Sequence, residues 1–237
     1  LILKKEAGPL DSVSAFFDFG PDLGRPEGGH GMLILAGLGN PGGKYERNRH
    51  NIGFFAMDEL ASRWRFGPWR TKFQAQVCEG NIDTPAGEVR CLLMKPQTFM
   101  NESGRAVAEA AKFYKTAPDQ VVAFHDELDL APGRFRMKTG GGAAGHNGIR
   151  SIMAHIGPNF RRARMGIGHP GDKDLVHGWV LSDFNKADSG WIDTLCRALA
   201  DSAPLLAATE DEKYQTEVMR LAPSPKADPR KAAGLES

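Results

Sequence analysis

Apolar residues recur along this chain in two rhythms, and the switches between them mark its elements. Met32 to Leu38 is a compact apolar run ended by Gly39, Asn40, Pro41, Gly42 and Gly43, the pattern of a buried strand. Asn51 to Trp64 follows at helical spacing, with Ile52, Phe55 and Leu60 on recurring positions and Asn51 as an acceptable N-cap. Phe73–Cys78 and Val89–Met94 have strand character and are separated by a turn-rich stretch with Pro85 and Gly87. Met100–Tyr114 predicts a helix whose apolar stripe is Val107, Ala110, Ala111 and Tyr114. Val121–Phe124 predicts a short buried strand that runs straight into His125-Asp126. Arg134–Lys138 alternates like a half-exposed strand. His146–Ile156 has helical character, Ala163–Ile167 strand character, and Trp191–Leu206 helical character again.

Strands alternating with helices predict an α/β fold, a single domain with a mixed, mainly parallel twisted sheet flanked by helices. Residues 1–30 are rich in Gly, Pro and Asp without a sustained period, and are expected to form a poorly ordered N-terminal extension. Residues 31–221 are expected to form the main folded domain. Residues 222–237, rich in Pro, Ala and Lys, are expected to be a disordered tail. The pattern does not decide whether the stretch near 207–220 folds as a lid.

Composition changes this picture little. With 41% hydrophobic and 25% charged residues the chain has ordinary soluble-globular proportions, and a formal net charge of +1 says nothing about partners. Cys78, Cys91 and Cys196 are far apart and form no CxxC, which argues against a disulfide framework or a structural zinc site. No apolar run approaches the ~20 residues that a membrane helix needs. The opening lacks the order of a signal peptide, so a cytoplasmic protein without a membrane partner is expected.

Gly37-Leu38-Gly39-Asn40-Pro41-Gly42 satisfies GxGxxG after a strand, which would suggest a dinucleotide-binding oxidoreductase. The context fails. The helix begins only near Asn51, too late for the glycines to open it, and Asp58 and Glu59 fall inside that helix instead of ending a second strand. GxxxxGK[ST], GxSxG and HExxH are absent from the sequence.

Polar residues gather where predicted strands end or helices begin: Asn40, His50-Asn51, Asn101, Asp126 and His146-Asn147. Taken singly, each has a structural account. Asn before Pro-Gly is a turn residue, Asn51 or Asn101 can cap a helix, and a loop histidine is commonly solvated. Together, at one sheet edge, they suit hydrolysis by general-base catalysis. A histidine takes a proton from water near neutral pH, a carboxylate fixes its tautomer, and neutral amides stabilise a developing oxyanion. This chemistry requires no metal and no cofactor.

Four segments carry a resemblance: GLGNPGGKYERNRHNIGF (37–54), KPQTFMNESG (95–104), HDELDLAPGRFRMKTGGGAAGHNG (125–148) and RRARMGIGHPG (161–171). In this order and spacing they resemble the bacterial-type peptidyl-tRNA hydrolase family, over roughly Met32 to Phe184. The resemblance implies cleavage of the ester between a peptide and the 3′ end of tRNA, which recycles tRNA from prematurely released peptidyl-tRNA. It makes His50 the general base and Asp126 its orienting partner. It makes Asn40, Asn101 and Asn147 holders of peptide and water, places Tyr45 and Met100 in the same cleft, and puts His146 behind the reacting groups. It further implies a monomer. Asn48 stands where the family usually has Thr, and Ala143-Ala144 is a variant of the glycine loop.

Charge along the chain supports an RNA partner independently. Residues 131–171 hold seven basic side chains (Arg134, Arg136, Lys138, Arg150, Arg161, Arg162 and Arg164) and no acidic one, an electrostatic footprint for phosphate. The resemblance places Arg136 and Arg164 against tRNA phosphates, and Lys138 joins them. Two other readings compete: a non-enzymatic RNA-binding scaffold and a nucleotide-dependent dehydrogenase.

Overall fold

The computed structural model describes residues 31–225, so the expected N-terminal extension and the expected tail beyond Pro225 lie outside the described residues. Seven strands form one sheet: β1 (Leu33–Gly37), β2 (Arg70–Lys72), β3 (Ala75–Thr84), β4 (Gly87–Pro96), β5 (Val121–Glu127), β6 (Phe135–Thr139) and β7 (Arg161–Gly166). Their spatial order is β2-β3-β4-β1-β5-β7-β6. The central strands β4, β1, β5 and β7 run parallel, while β2, β3 and β6 pair antiparallel toward the two edges. The sheet is mixed with a parallel centre, as the alternation of elements predicts.

Among the described residues seven α-helices cover it: α1 (Ile52–Arg63), α2 (Ser103–Tyr114), α3 (Asn147–Ile156), α4 (Val176–Val180), α5 (Ser189–Asp201), α6 (Ala203–Ala207) and α7 (Asp211–Leu221). Side chains alternate along a strand, so β1 sends Leu33 and Leu35 into the core beneath α1 and α5. Ile34 and Ala36 enter the opposite core, beneath α2 and α3. Burial on both faces is why the strand shows as an unbroken apolar run.

Two glycines of the GxGxxG segment, Gly37 and Gly39, serve packing, while Gly42 supplies a turn at φ 104°. A Cβ on Gly37 would lie 2.2 Å from the Gly53 carbonyl oxygen, and one on Gly53 would lie 2.4 Å from both Leu38 N and Phe124 O. Helix α1 therefore crosses β1 with backbone against backbone. None of the described helices is long and apolar enough to cross a membrane.

Several elements differ from the sequence pattern, each for a physical reason. The two strands expected at 73–78 and 89–94 lengthen into the hairpin β3–β4, closed by Pro85-Ala86. Strand β5 continues through Asp126 to Glu127 because β7 pairs with it in parallel to its end. The helix expected over 191–206 breaks at Ser202: Pro204 lacks the N–H that would bond the Ala200 carbonyl, and Trp64 Nε1 donates to that oxygen instead at 2.9 Å.

Helix α7 does not lie over the sheet edge where β1 and β5 end. It buries Tyr214 and Val218 in the core and covers the outer edge of β6, where Met137 N donates to Gln215 Oε1 at 2.9 Å. An otherwise open strand edge is thereby closed. Ala222, the first residue of the expected tail, is also buried.

Candidate active site

Strands β4, β1 and β5 end at one sheet edge. The chain leaves β1 through α1 on one face and leaves β4 through α2 on the other, so a crevice opens where the connections diverge. A cleft of about 1010 Å³ lies there. His50, Asp126, Asn40, Tyr45, Met100, Asn101 and Asn147, all expected at a common site, line this cleft together.

Asp126 is its electrostatic centre. The carboxylate is buried, and its Oδ1 accepts from His50 Nδ1 at 2.8 Å and from His146 Nε2 at 2.9 Å. Burial alone would raise its pKa, but the two imidazoles and their hydrogen bonds hold it well below the ordinary carboxylate range. For His50, burial pulls the pKa down, and the charge and hydrogen bond of Asp126 more than offset it, leaving it above the ordinary histidine value. With Nδ1 donating to Asp126, His50 Nε2 is the nitrogen left for the cleft, and it has no protein partner among the described residues.

His146 plays two parts. Its Nδ1 accepts from Gly148 N and Ile149 N at 3.1 and 3.3 Å, which caps α3 and leaves the ring proton on Nε2 to donate to Asp126. His125 donates from Nδ1 to the Asp126 carbonyl at 2.7 Å. Burial, then the neighbouring His146, push its pKa well below the usual value, so it is neutral.

Donor atoms of His50, Asp126 and His146 lie within 4.8 Å of one another, close enough to consider a metal. The spacings favour protons. Ligands about 2.1 Å from a tetrahedral ion stand roughly 3.4 Å apart, whereas both nitrogens approach the same carboxylate oxygen at hydrogen-bond distance. The three cysteines are buried free thiols, each pushed up to about 12 by burial, and none lines the cleft.

The asparagines are oriented by their neighbours. Asn40 Oδ1 accepts from Met100 N at 2.8 Å, which leaves the Asn40 Nδ2 donors for the cleft. Asn147 Oδ1 accepts from Arg150 Nη1 at 2.9 Å, with the same result. Asn51, taken from the sequence as an N-cap, makes no capping bond. Its side chain instead bridges Asn40 N and Asn40 O, both at 2.9 Å, and so fixes the loop that carries Asn40. Asn101 makes no side-chain cap either.

The basic stretch divides in two. Arg136 and Lys138 are exposed on β6 and stand in register with Arg164 and Arg162 of β7. Like charges directly opposite one another on a sheet are unfavourable. Arg164 is partly compensated, its Nε donating to Glu127 at 2.8 Å. Arg161 and Arg162 are buried and leave the expected phosphate footprint, because β7 has neighbours on both sides and helices over its faces. Arg161 pairs with Asp211 and donates to the Leu206 carbonyl at 2.8 Å. Arg162 donates to the carbonyls of Gly141 and Gly142 at 2.8 and 2.6 Å and so fixes the glycine loop.

The far wall of the cleft comes from a segment outside the four motif-bearing stretches. Lys173, Val176, His177, Val180 and Leu181 form it, from α4, the turn before it and the residue after it. A five-residue helix is too short to show a period, and no sequence signal marks it.

Residues 34–227 match the family model described as peptidyl-tRNA hydrolase. The peptidyl-tRNA hydrolase of Phenylobacterium zucineum is 66% identical over 202 residues, covering 85% of this chain and 97% of that protein. The one from Caulobacter vibrioides is 61% identical, covering 85% and 98%. Among solved structures, peptidyl-tRNA hydrolase from Acinetobacter baumannii is similar with a TM-score of 0.74 and 39% identity, covering 81% of this chain and 97% of that one.

Proposed function

The chain belongs to the peptidyl-tRNA hydrolase family, and we propose that its cleft cuts the ester between peptide and tRNA with a water activated by His50. Hydrolysis of peptidyl-tRNA is its activity. The observation that carries the residue assignment is the 2.8 Å contact of His50 Nδ1 with Asp126 Oδ1, which turns Nε2 to the cleft.

His50 Nε2 takes a proton from water as the water oxygen attacks the ester carbonyl carbon. Asp126 stabilises the imidazolium that forms. The oxyanion develops beside the Nδ2 donors of Asn40 and Asn147, whose orientation is set before substrate arrives. When the intermediate collapses, the carbon–oxygen bond to the ribose breaks and the imidazolium returns its proton to the leaving 3′-oxygen. Free tRNA and a peptide carboxylic acid result, the acid then ionising to solvent, with no metal or cofactor taking part.

Asn101, Tyr45 and Met100 hold the peptide through its main chain, which accommodates any sequence. A free aminoacyl-tRNA would set an ammonium against neutral amides, so N-blocked substrates are preferred. Arg136, Lys138 and Arg164 take tRNA phosphates, which position a substrate without reading its sequence. The enzyme acts as a cytoplasmic monomer that recycles tRNA.

The test is single-turnover cleavage of an N-acetylated aminoacyl-tRNA, with chelator present, by the wild type and by His50→Ala. Rapid release of intact tRNA by the wild type and a rate at least ~100-fold lower in the variant are expected. Cleavage lost with the chelator would overturn the metal-free route. Binding of tRNA without cleavage by either protein would leave an RNA-binding scaffold instead.

A further inference from the structure

Arg49 takes no part in the proposed chemistry, yet it is buried and held by hydrogen bonds, a carboxylate and two aromatic rings. It precedes His50 in the chain and is 4% exposed. Its Nη1 donates to Ser182 Oγ at 2.8 Å and to the Asp183 carbonyl at 2.5 Å, and its Nη2 lies 3.6 Å from an Asp188 carboxylate oxygen. The guanidinium sits 3.9 Å from the ring centre of Trp179 and 5.2 Å from that of Phe184. A buried cation has lost its water shell, and here a planar fork and two aromatic faces replace it.

The backbone joins the same two segments. Arg49 N donates to Ser182 O at 3.0 Å and Phe184 N to Arg47 O at 3.1 Å, while Asn48 Nδ2 donates to Asp183 Oδ1 at 2.8 Å. One of these segments is the tight turn that carries His50. The other continues directly from α4, whose Val176, His177 and Val180 form the opposite wall of the cleft. Arg49 therefore ties the base to the wall that faces it. No tRNA phosphate can reach a guanidinium so enclosed, which sets it apart from Arg136 and Lys138.

We propose that Arg49 is a positioning residue: by clasping residues 179–188 it fixes the turn that aims His50, and with it the width of the cleft. The inference rests on His50 being the base, and it concerns kcat while leaving tRNA binding alone. Lysine keeps the charge but has neither the fork nor the flat face, so it cannot replace arginine here.

The experiment compares wild type, Arg49→Lys and Ser182→Ala in steady-state cleavage of an N-acetylated aminoacyl-tRNA, with proton NMR of the free enzymes. Arg49→Lys is expected to lower kcat about 10- to 100-fold, the scale of a misplaced catalytic group, with KM within about twofold. The downfield Nδ1 proton of His50 should broaden or vanish, while the Nε2 proton of His146 on the same carboxylate persists; a purely structural weakening would not separate the two. Ser182→Ala removes one hydroxyl and should give the same pattern at about threefold, so it decides the matter if the lysine variant does not fold. A folded Arg49→Lys, or Ser182→Ala in its place, with wild-type kcat and an undisturbed His50 signal would overturn the clasp. The NMR arm needs no turnover, so it separates failure of the clasp from failure of His50 as base.

Discussion

The end of β5 and the β6–β7 edge treat charge in opposite ways. At the first, one carboxylate is buried and its Oδ1 is shared by two imidazoles. At the second, cations stand opposite cations on one sheet face, and the two on β6 are exposed. A buried charge without partners costs several kcal/mol, so the first arrangement holds protons in fixed places. An exposed charge costs little and loses little by waiting for a ligand. Proton transfer needs the former, and binding of a polyanion needs the latter. Buried Arg161 and Arg162 show that arginine serves structure when its partners are internal carbonyls and carboxylates.

The sharpest way to break this contrast is Asp126→Asn. It should lower kcat about 10²- to 10⁴-fold with KM nearly unchanged, because it removes the group that orients His50 and stabilises its charged form. The pH profile adds a sign. Both influences that raise the His50 pKa come from Asp126, and burial works the other way. With His50 as the proposed base the active form is the neutral imidazole, so wild-type activity should fall as pH drops through that raised pKa. In Asp126→Asn the acid limb of kcat/KM should move to lower pH. A limb that stays put would mean that another group controls it.

Asn51→Ala comes next. It leaves two buried backbone groups of Asn40 without partners, a loss of roughly 1–3 kcal/mol of stability for each. A denaturant titration should show that loss, with kcat lowered about tenfold as the Asn40 donors lose their aim. The joint change Arg136→Ala with Lys138→Ala tests the other region. It should raise KM about tenfold and reduce the slope of log KM against log salt by about 2, with kcat kept. Smallest is Arg164→Ala. Part of its charge already faces Glu127, so KM should rise only about two- to threefold. If Arg164→Ala outweighs the β6 pair, the division between compensated and waiting charge fails.

The parallel centre of the sheet was legible because its strands are buried on both faces and must be apolar throughout. The set of residues that lines the cleft was legible because four motifs lie at element ends, where loops can carry chemistry. What the sequence could not disclose depends on how segments meet in the folded chain. Arg161 and Arg164 look alike in RRAR, and only pairing with β5 and cover by α7 send one to Asp211 and the other to Glu127. Asn51 looks like a cap until the Asn40 loop folds back on it. The α4 wall shows no periodicity, because one short turn of helix held by Arg49 needs none.

The amino-acid sequence by itself determined the fold class, the family and the seven residues that meet in the cleft, since local pattern and motif spacing encode these directly. Only the tertiary structure decided which nitrogen of His50 is left for the cleft, which basic residues are left uncompensated, and what forms the second wall. Those depend on contacts between segments 37 to 133 residues apart, and on burial, which sets the cost of every charge and is a property of the assembled fold.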